Sequence, residues 1–373
     1  MDTSLTQHQA RLIFNGLPHI GPIMFRRLMN AFDNNGIALL NTDKNTLIQT
    51  HGVGPKLASF LNDWKLHFNL SREEILLKQR NTRFITLDCS DYPKLLREIY
   101  DRPIGLYWKG EFTIDRPCVA IVGTRKATLY GLSVAKSFAA DLASLGFCVV
   151  SGMARGIDTA AHEGALSVGS RTIAVQGCGL DIVYPPENLN LYEKIIDEGA
   201  VISEFCFGRR IDRTTFPMRN RIVSGMCEAV IVIESNCSGG SMITARFAGE
   251  QCRDLMVVPG RIDQVTSAGC LQLLRDGAIL VTSVDDVLEE LRYSRPQNTA
   301  VCLPNPESKD DAVSISKAEQ VVLKCFSGGE ILSPDKIAEH VKKSSAQVAS
   351  TLMSLELKRQ LVKRSDGRFE VNQ

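Results

Sequence analysis

Apolar positions divide the 373-residue chain into three stretches with different periods. Over residues 1–70 they recur at helical spacing, as in Phe25, Leu28, Met29 and Phe32, then Leu57, Phe60, Leu61 and Trp64. Such spacing puts one apolar face on each helix. Both stretches follow a Gly-Pro pair, Ile20-Gly21-Pro22 and Val53-Gly54-Pro55. Glycine permits the sharp turn, and proline suits the first helical position because its missing N–H costs nothing there. The pattern predicts a small all-α domain containing an internal echo.

From 83 to 292 short β-branched runs take over, at 84–87, 119–122, 149–151, 172–175, 200–203, 229–233, 255–258 and 278–281. Helical stretches such as Ala135, Phe138, Ala139, Leu142 and Leu145 lie between most of them. Uniformly apolar strands alternating with helices predict an α/β fold, Rossmann-like and doubly wound around a mostly parallel sheet. Residues 293–313 carry Pro296, Pro304, Pro306 and a charged cluster without periodicity, and read as a mobile linker. The remaining stretch, 314–373, predicts three helices and a hairpin. Ser333-Pro334 opens the second helix, Val348, Leu352 and Leu355 form the inner stripe of the third, and Asp366-Gly367 is a two-residue hairpin turn. Helix-turn-helix plus hairpin is the winged-helix pattern.

Composition narrows the class. No apolar run approaches the ~20 residues of a membrane span, and the first ten residues lack a basic-then-apolar signal, so a cytoplasmic protein without a membrane partner is expected. The 11 cysteines are scattered with no C-x-x-C, which reads as reduced buried thiols. No metal site is expected: His162-Glu163 starts like H-E-x-x-H, but Leu166 stands where the second histidine would be. Net charge is only +1. Residues 1–70 hold six Lys/Arg against four acidic residues, and 316–373 hold ten against seven. Any nucleic-acid partner must therefore be held by local charge.

Local charge is found at the predicted strand ends, where open parallel sheets bind ligands. They carry Gly123-Thr124-Arg125-Lys126 with Thr128 as a helix cap, Ser151-Gly152-Met153-Ala154-Arg155-Gly156, Gly177-Cys178-Gly179, Arg219-Asn220-Arg221 and Ser238-Gly239-Gly240-Ser241. Glycines let backbone N–H groups approach an anion, helix starts add a positive dipole end, and arginine supplies a bidentate clamp. Several such loops on one edge suit a run of phosphates. There is no G-x-x-x-x-G-K-[ST], and the first loop lacks the glycine pair of G-x-G-x-x-G. Asp158 and His162, four apart on one helical face, read as a packing contact rather than a catalytic dyad; Glu204 and Glu250 are the other acid candidates.

At these residues the chain resembles the DNA-processing protein A (DprA/Smf) family. The resemblance runs through Val122-Gly123-Thr124-Arg125, residues 151–162, Gly177-Cys178-Gly179-Leu180-Asp181, Tyr184-Pro185-Pro186-Glu187-Asn188, residues 216–222, residues 238–245 and Val258-Pro259-Gly260. It implies an extended Rossmann-like fold that binds single-stranded DNA without catalysis or cofactor, dimerises, and helps load the RecA recombinase during natural transformation. Arg125 would then grip a backbone phosphate, with Ser151, Gly152, Ala154 and Gly156 lining the pocket and Arg219, Asn220 and Arg221 its far wall. Leu271, Leu274 and Leu280 would belong to the homodimer surface, although core packing explains them about as well. Thr124 stands where serine is usual, and Cys252 where many members have glycine.

The flanks allow more than one reading. Val53-Gly54-Pro55-Lys56 looks like a helix-hairpin-helix turn, whereas the first copy has His19 where that motif has glycine. A purely structural helical cap is the other reading of that region. Lys358, Arg359, Lys363, Arg364 and Arg368 would let a winged helix hold duplex DNA, though many winged helices bind protein instead. Two other functions compete. Nucleotide-monophosphate phosphoribohydrolases carry P-G-G-x-G-T-x-x-E; here Ser238, Met242 and Arg246 replace its proline, third glycine and glutamate, so a phosphate-binding cation is expected where the acid would be. A nucleotide-sensing regulator with a winged-helix output is the other.

Overall fold

In the computed structural model, residues 5–294, 316–326, 330–358, 360–364 and 366–371 are described. Two compact units divide the chain, Met1–Pro296 and Gln297–Gln373. The boundary falls inside the stretch expected to be a linker.

The first unit opens with seven helices: α1 (Gln7–Gly16), α2 (Pro22–Ala31), α3 (Gly36–Leu40), α4 (Lys44–Gln49), α5 (Pro55–Asn62), α6 (Trp64–His67) and α7 (Leu70–Gln79). Both Gly-Pro pairs start helices as expected, with Gly21 and Gly54 as extended N-caps and proline next. The apolar stripes meet in a core around Phe14, Phe25, Leu28, Leu47 and Leu61. This core is not sealed off from the rest. Ile104 joins it, while Leu12 of α1 packs with Phe84 and Tyr107 of the sheet. The helical region and the sheet, read as separate from the sequence, therefore form one unit.

The sheet has nine strands: β1 (Thr82–Thr86), β2 (Gly105–Lys109), β3 (Cys118–Gly123), β4 (Cys148–Ser151), β5 (Thr172–Gln176), β6 (Ala200–Ser203), β7 (Ala229–Ile233), β8 (Asp254–Val257) and β9 (Ile279–Leu280). Their order is β1-β2-β6-β5-β4-β3-β7-β8-β9. Seven run parallel from β6 to β9; β1 and β2 are added antiparallel at one edge. The expectation of a mostly parallel α/β sheet holds, with β2 the strand the pattern did not foretell. Its Gly-Leu-Tyr-Trp-Lys run is the one strand of the described sheet without a β-branched residue, and aromatic burial against Phe84 and Tyr92 replaces that signal.

Helices α8 (Leu129–Ser144), α9 (Ile157–Ser167), α10 (Leu189–Glu198), α11 (Thr215–Gly225), α12 (Gly240–Glu250) and α13 (Ala268–Arg275) connect the strands, and α14 (Val284–Glu290) follows β9. Two apolar clusters lie on opposite sheet faces, as period-two strands require: Ala120, Val122 and Val230 in one, Val119, Ile121 and Ile231 in the other. Strand order reverses between β3 and β7, the topological switch point where such sheets open a crevice.

The second unit contains α15 (Lys317–Lys324), α16 (Pro334–Val341), α17 (Ser345–Leu357) and the antiparallel hairpin β10 (Leu361–Lys363) and β11 (Phe369–Val371), with a further bridge from Leu332 to Phe369. Ile337, Val348, Leu352, Leu355 and Phe369 fill its core.

Candidate functional site

The switch point holds a cavity of about 570 Å³. Four loops meet there: Gly123, Thr124, Arg125 and Lys126 after β3; Gly152, Ala154 and Asp158 after β4; Arg213, Phe216, Pro217, Arg219 and Asn220 at the start of α11; and Asn236, Ser238, Gly239, Gly240 and Ser241 after β7. Twelve of the residues expected at the site are thus brought to one place.

Backbone fit explains the glycines. A Cβ at Gly123 would lie 2.0 Å from the Ile233 carbonyl oxygen, and one at Gly152 1.4 Å from Arg219 Nη1. Gly156 has φ +77°, and a Cβ there would meet the Thr124 carbonyl at 2.4 Å. It stands just outside the cavity and locks two loops together, beside a hydrogen bond from Ile157 N to Thr124 O of 3.3 Å.

Cations dominate the wall. Arg125 is exposed, its guanidinium 4.5 Å from the Phe216 ring centroid, and it makes no hydrogen bond or ion pair among the described residues. Lys126 is also exposed. Arg219 is buried and donates from Nη1 to Val175 O at 3.0 Å, while its Nε has no partner. Burial holds its pKa below the usual guanidinium value, and neighbouring Asp158 pulls the other way. Among the described residues Asp158 is the one carboxylate lining the cavity. It accepts from Gly152 N at 3.2 Å and Ala154 N at 3.3 Å, and burial raises its pKa. Its work is to shape the loop.

The helix starts differ. Thr128 caps α8 as expected, accepting from Gly131 N at 3.0 Å, but Glu234 also occupies that end, accepting from Thr128 N at 2.9 Å. The α8 dipole is therefore already answered by a carboxylate. By contrast α12 has Gly239 as N-cap with no side-chain cap bond, and Gly239, Gly240 and Ser241 at this end line the cavity. Of the two helix ends, it is the one left open to an anion.

Several nominated residues lie elsewhere. Ser151 is buried, its hydroxyl donating to Ile121 O at 2.6 Å. Arg155 points outward to an ion pair with Glu187. Gly177 and Gly179 lie outside the cavity lining, and Gly179 N donates to Arg209 O at 2.9 Å. Arg221 is buried between Glu204, at 2.5 Å, and Asp101. His162 pairs with Thr172 Oγ1 at 2.8 Å rather than with Asp158, and burial pushes its pKa down to about 3. Arg246, expected to bind phosphate, lies outside the cavity lining and reaches Glu250 at 3.4 Å. Leu271 and Leu274 are half-buried and Leu280 is 53% exposed, beside the β9 edge.

Arg213 and Asn236 were not foreseen. Arg213 belongs to Arg209-Arg210-Ile211-Asp212-Arg213, whose cation density was a readable signal. Arg209 is paired with Asp212 at 2.5 Å, whereas Arg213 reaches the cavity. Asn236 offered none.

Known proteins resemble this chain over much of its length. The family model for DNA recombination-mediator protein A matches residues 83–292. DNA processing protein DprA of Streptococcus pneumoniae is 43% identical over 207 residues, covering 55% of this chain and 72% of that one. Protein Smf of a Synechocystis strain is 37% identical over 288 residues, covering 75% and 71%. The crystal structure of the Streptococcus pneumoniae protein superposes with a TM-score of 0.66 at 33% identity, covering 77% of this chain and 99% of that one. A Helicobacter pylori DNA processing protein A structure, reported for its single-stranded DNA binding mode, gives 0.52 at 32% identity, covering 57% and 98%. With that family model matching residues 83–292, more than half of the chain, the chain belongs to the DNA recombination-mediator protein A family.

Proposed function

We propose that the chain binds single-stranded DNA by its phosphate backbone in the cavity at the β3/β7 switch point, and that it acts without catalysis as a mediator helping to load the RecA recombinase during transformation. One observation carries the binding reading. Arg125, Lys126, Arg213 and Arg219 face a cavity whose described lining has a single, backbone-bonded carboxylate and a helix start without a side-chain cap. Phosphates gain from this arrangement and a neutral ligand does not. Phe216, backed by Arg125, offers a face for a base. Matched single- and double-stranded oligonucleotides, titrated against salt with wild type and Arg125→Ala, test the proposal. Unaltered single-strand affinity in the variant would sink it.

The phosphoribohydrolase reading loses support because Arg246 stands outside the cavity and Glu204 is engaged by Arg221. Asp158 could serve as an acid only by giving up two backbone N–H bonds. The second unit we read as a winged helix. Its grip on duplex DNA also loses support: Lys358 is paired with Glu319, Arg364 with Glu370 and Arg368 with Asp366, while Arg359 lies outside the described residues. Lys363 is left exposed. The homodimer surface we place around Leu271, Leu274 and Leu280, where Ile262 and Val265 add exposed apolar area at 91% and 74%. Leu280→Glu should halve the mass in solution. A cytoplasmic site fits the free cysteines, five of the ten described being buried, and no described helix is long and apolar enough to cross a membrane.

A further inference from the structure

Helix α11 separates two depressions. Phe216, Pro217, Arg219 and Asn220 line the main cavity, whereas Met218 and Arg221 line a second, about 390 Å³, together with Pro22, Ile23 and Arg27 of α2. Asp101 and Ile23 continue that depression into a third, about 480 Å³, walled by Arg26 and Tyr100. Tyr100 is 66% exposed. The Arg26 guanidinium lies 4.2 Å from its ring centroid and donates to its carbonyl oxygen at 3.0 Å. A cation therefore fixes one face of an exposed aromatic ring and leaves the rest of it to solvent.

Charge along this path is unbalanced. Each carboxylate lining the two depressions has an arginine partner: Asp101 with Arg221 at 3.4 Å, Glu98 with Arg253 at 3.9 Å, and Glu250 with Arg246 at 3.4 Å. Arg26 and Arg27 have no carboxylate partner among the described residues. Beside them α2 begins at Gly21 without a side-chain cap. Unpaired cations beside an exposed ring are the parts with which proteins hold a single strand irrespective of sequence: positive charge for the backbone, an aromatic face for a base.

We propose that Tyr100, backed by Arg26, is a base-stacking subsite for the same single strand that fills the main cavity, with Arg27 meeting the intervening phosphate. This rests on the reading of the main cavity as a single-stranded DNA site. A helix is ~10–12 Å across with its side chains, so a strand leaving the main cavity over α11 arrives beside α2. The N-terminal helices then extend the binding path instead of merely capping the sheet.

The test uses the full chain and two poly-dT oligonucleotides, a short one that just saturates Arg125-dependent binding and a longer one. Tyr100→Ala should weaken the long strand roughly 5-fold to 160-fold, the range for losing one aromatic stack, and leave the short strand unchanged. Tyr100→Phe should bind the long strand as wild type does, since the ring survives. A long strand carrying halogenated uracils should photocrosslink to Tyr100. If Tyr100→Ala holds the long strand normally while Arg125→Ala fails on both lengths, the subsite is wrong and the main cavity stands. If Arg125→Ala binds both normally, the main cavity falls and this proposal with it. A Tyr100→Phe loss equal to that of Tyr100→Ala would overturn stacking in favour of a hydroxyl contact.

Discussion

The guanidinium of Arg219 lies across the backbone of Gly152, so close that a Cβ at 152 would sit 1.4 Å from Nη1. The glycine is what allows a buried arginine to lie at the cavity floor and reach Val175 O. Gly152→Ala should therefore act on binding through Arg219. We expect a loss of about 1–3 kcal/mol in urea unfolding from overpacking, and single-strand affinity as poor as in Arg219→Ala. Normal affinity in Gly152→Ala would show that Arg219 does not need this position.

Arg125 differs from Arg219 in being exposed, so its removal should leave folding untouched. Replacing it with alanine removes one phosphate contact. The slope of log affinity against log salt should then shallow by about 0.7, equally for all base sequences. A slope that stays the same while affinity falls would assign Arg125 to a base instead.

Glu204 and Arg221 form a buried pair, 6% and 3% exposed. Glu204→Ala leaves Arg221 with only Asp101 and its carbonyl, and should cost about 3–5 kcal/mol in chemical denaturation. Replacing both by apolar residues of similar volume should recover most of that loss. Stability unchanged in Glu204→Ala would return Arg221 to the set of residues available for DNA.

The second unit should be acid-sensitive through Glu319. Hydrogen bonds from Lys358 first, then Ser354 and the Ser316 N–H, pull its carboxyl down to about 2 from an ordinary 4.5. A depressed folded pKa gives stability that is complete above the unfolded value and disappears as pH falls from about 4.5 towards about 2. Methyl NMR of Val348 and Leu352 across that window should show unfolding that Glu319→Gln makes far less pH-dependent, at a lower starting stability. An equal acid response in the variant would place the sensitivity in another group.

Much of the molecule was legible without coordinates because its signals are local. Runs such as Ala229–Ile233 announce strands buried on both faces, Gly54-Pro55 announces a helix start, and the loops at Gly123 and Gly239 announce backbone built to approach an anion. Eight strands, the parallel class and twelve of the residues around the cavity follow from such features. None of them requires knowing what lies across the chain.

Tertiary structure decided which cations are free. Arg125 and Arg221 look alike in sequence, each at a strand-end loop, yet one faces the cavity and the other is consumed by Glu204 and by Asp101, 120 residues away. It also set β2 antiparallel at the edge, joined the N-terminal helices to the sheet, and gave the α8 start to Glu234, 106 residues from Thr128. The reason is common to all of these. A residue's type and near neighbours fix its backbone preference, but a charge is spent or left available according to partners that only folding brings within 3 or 4 Å.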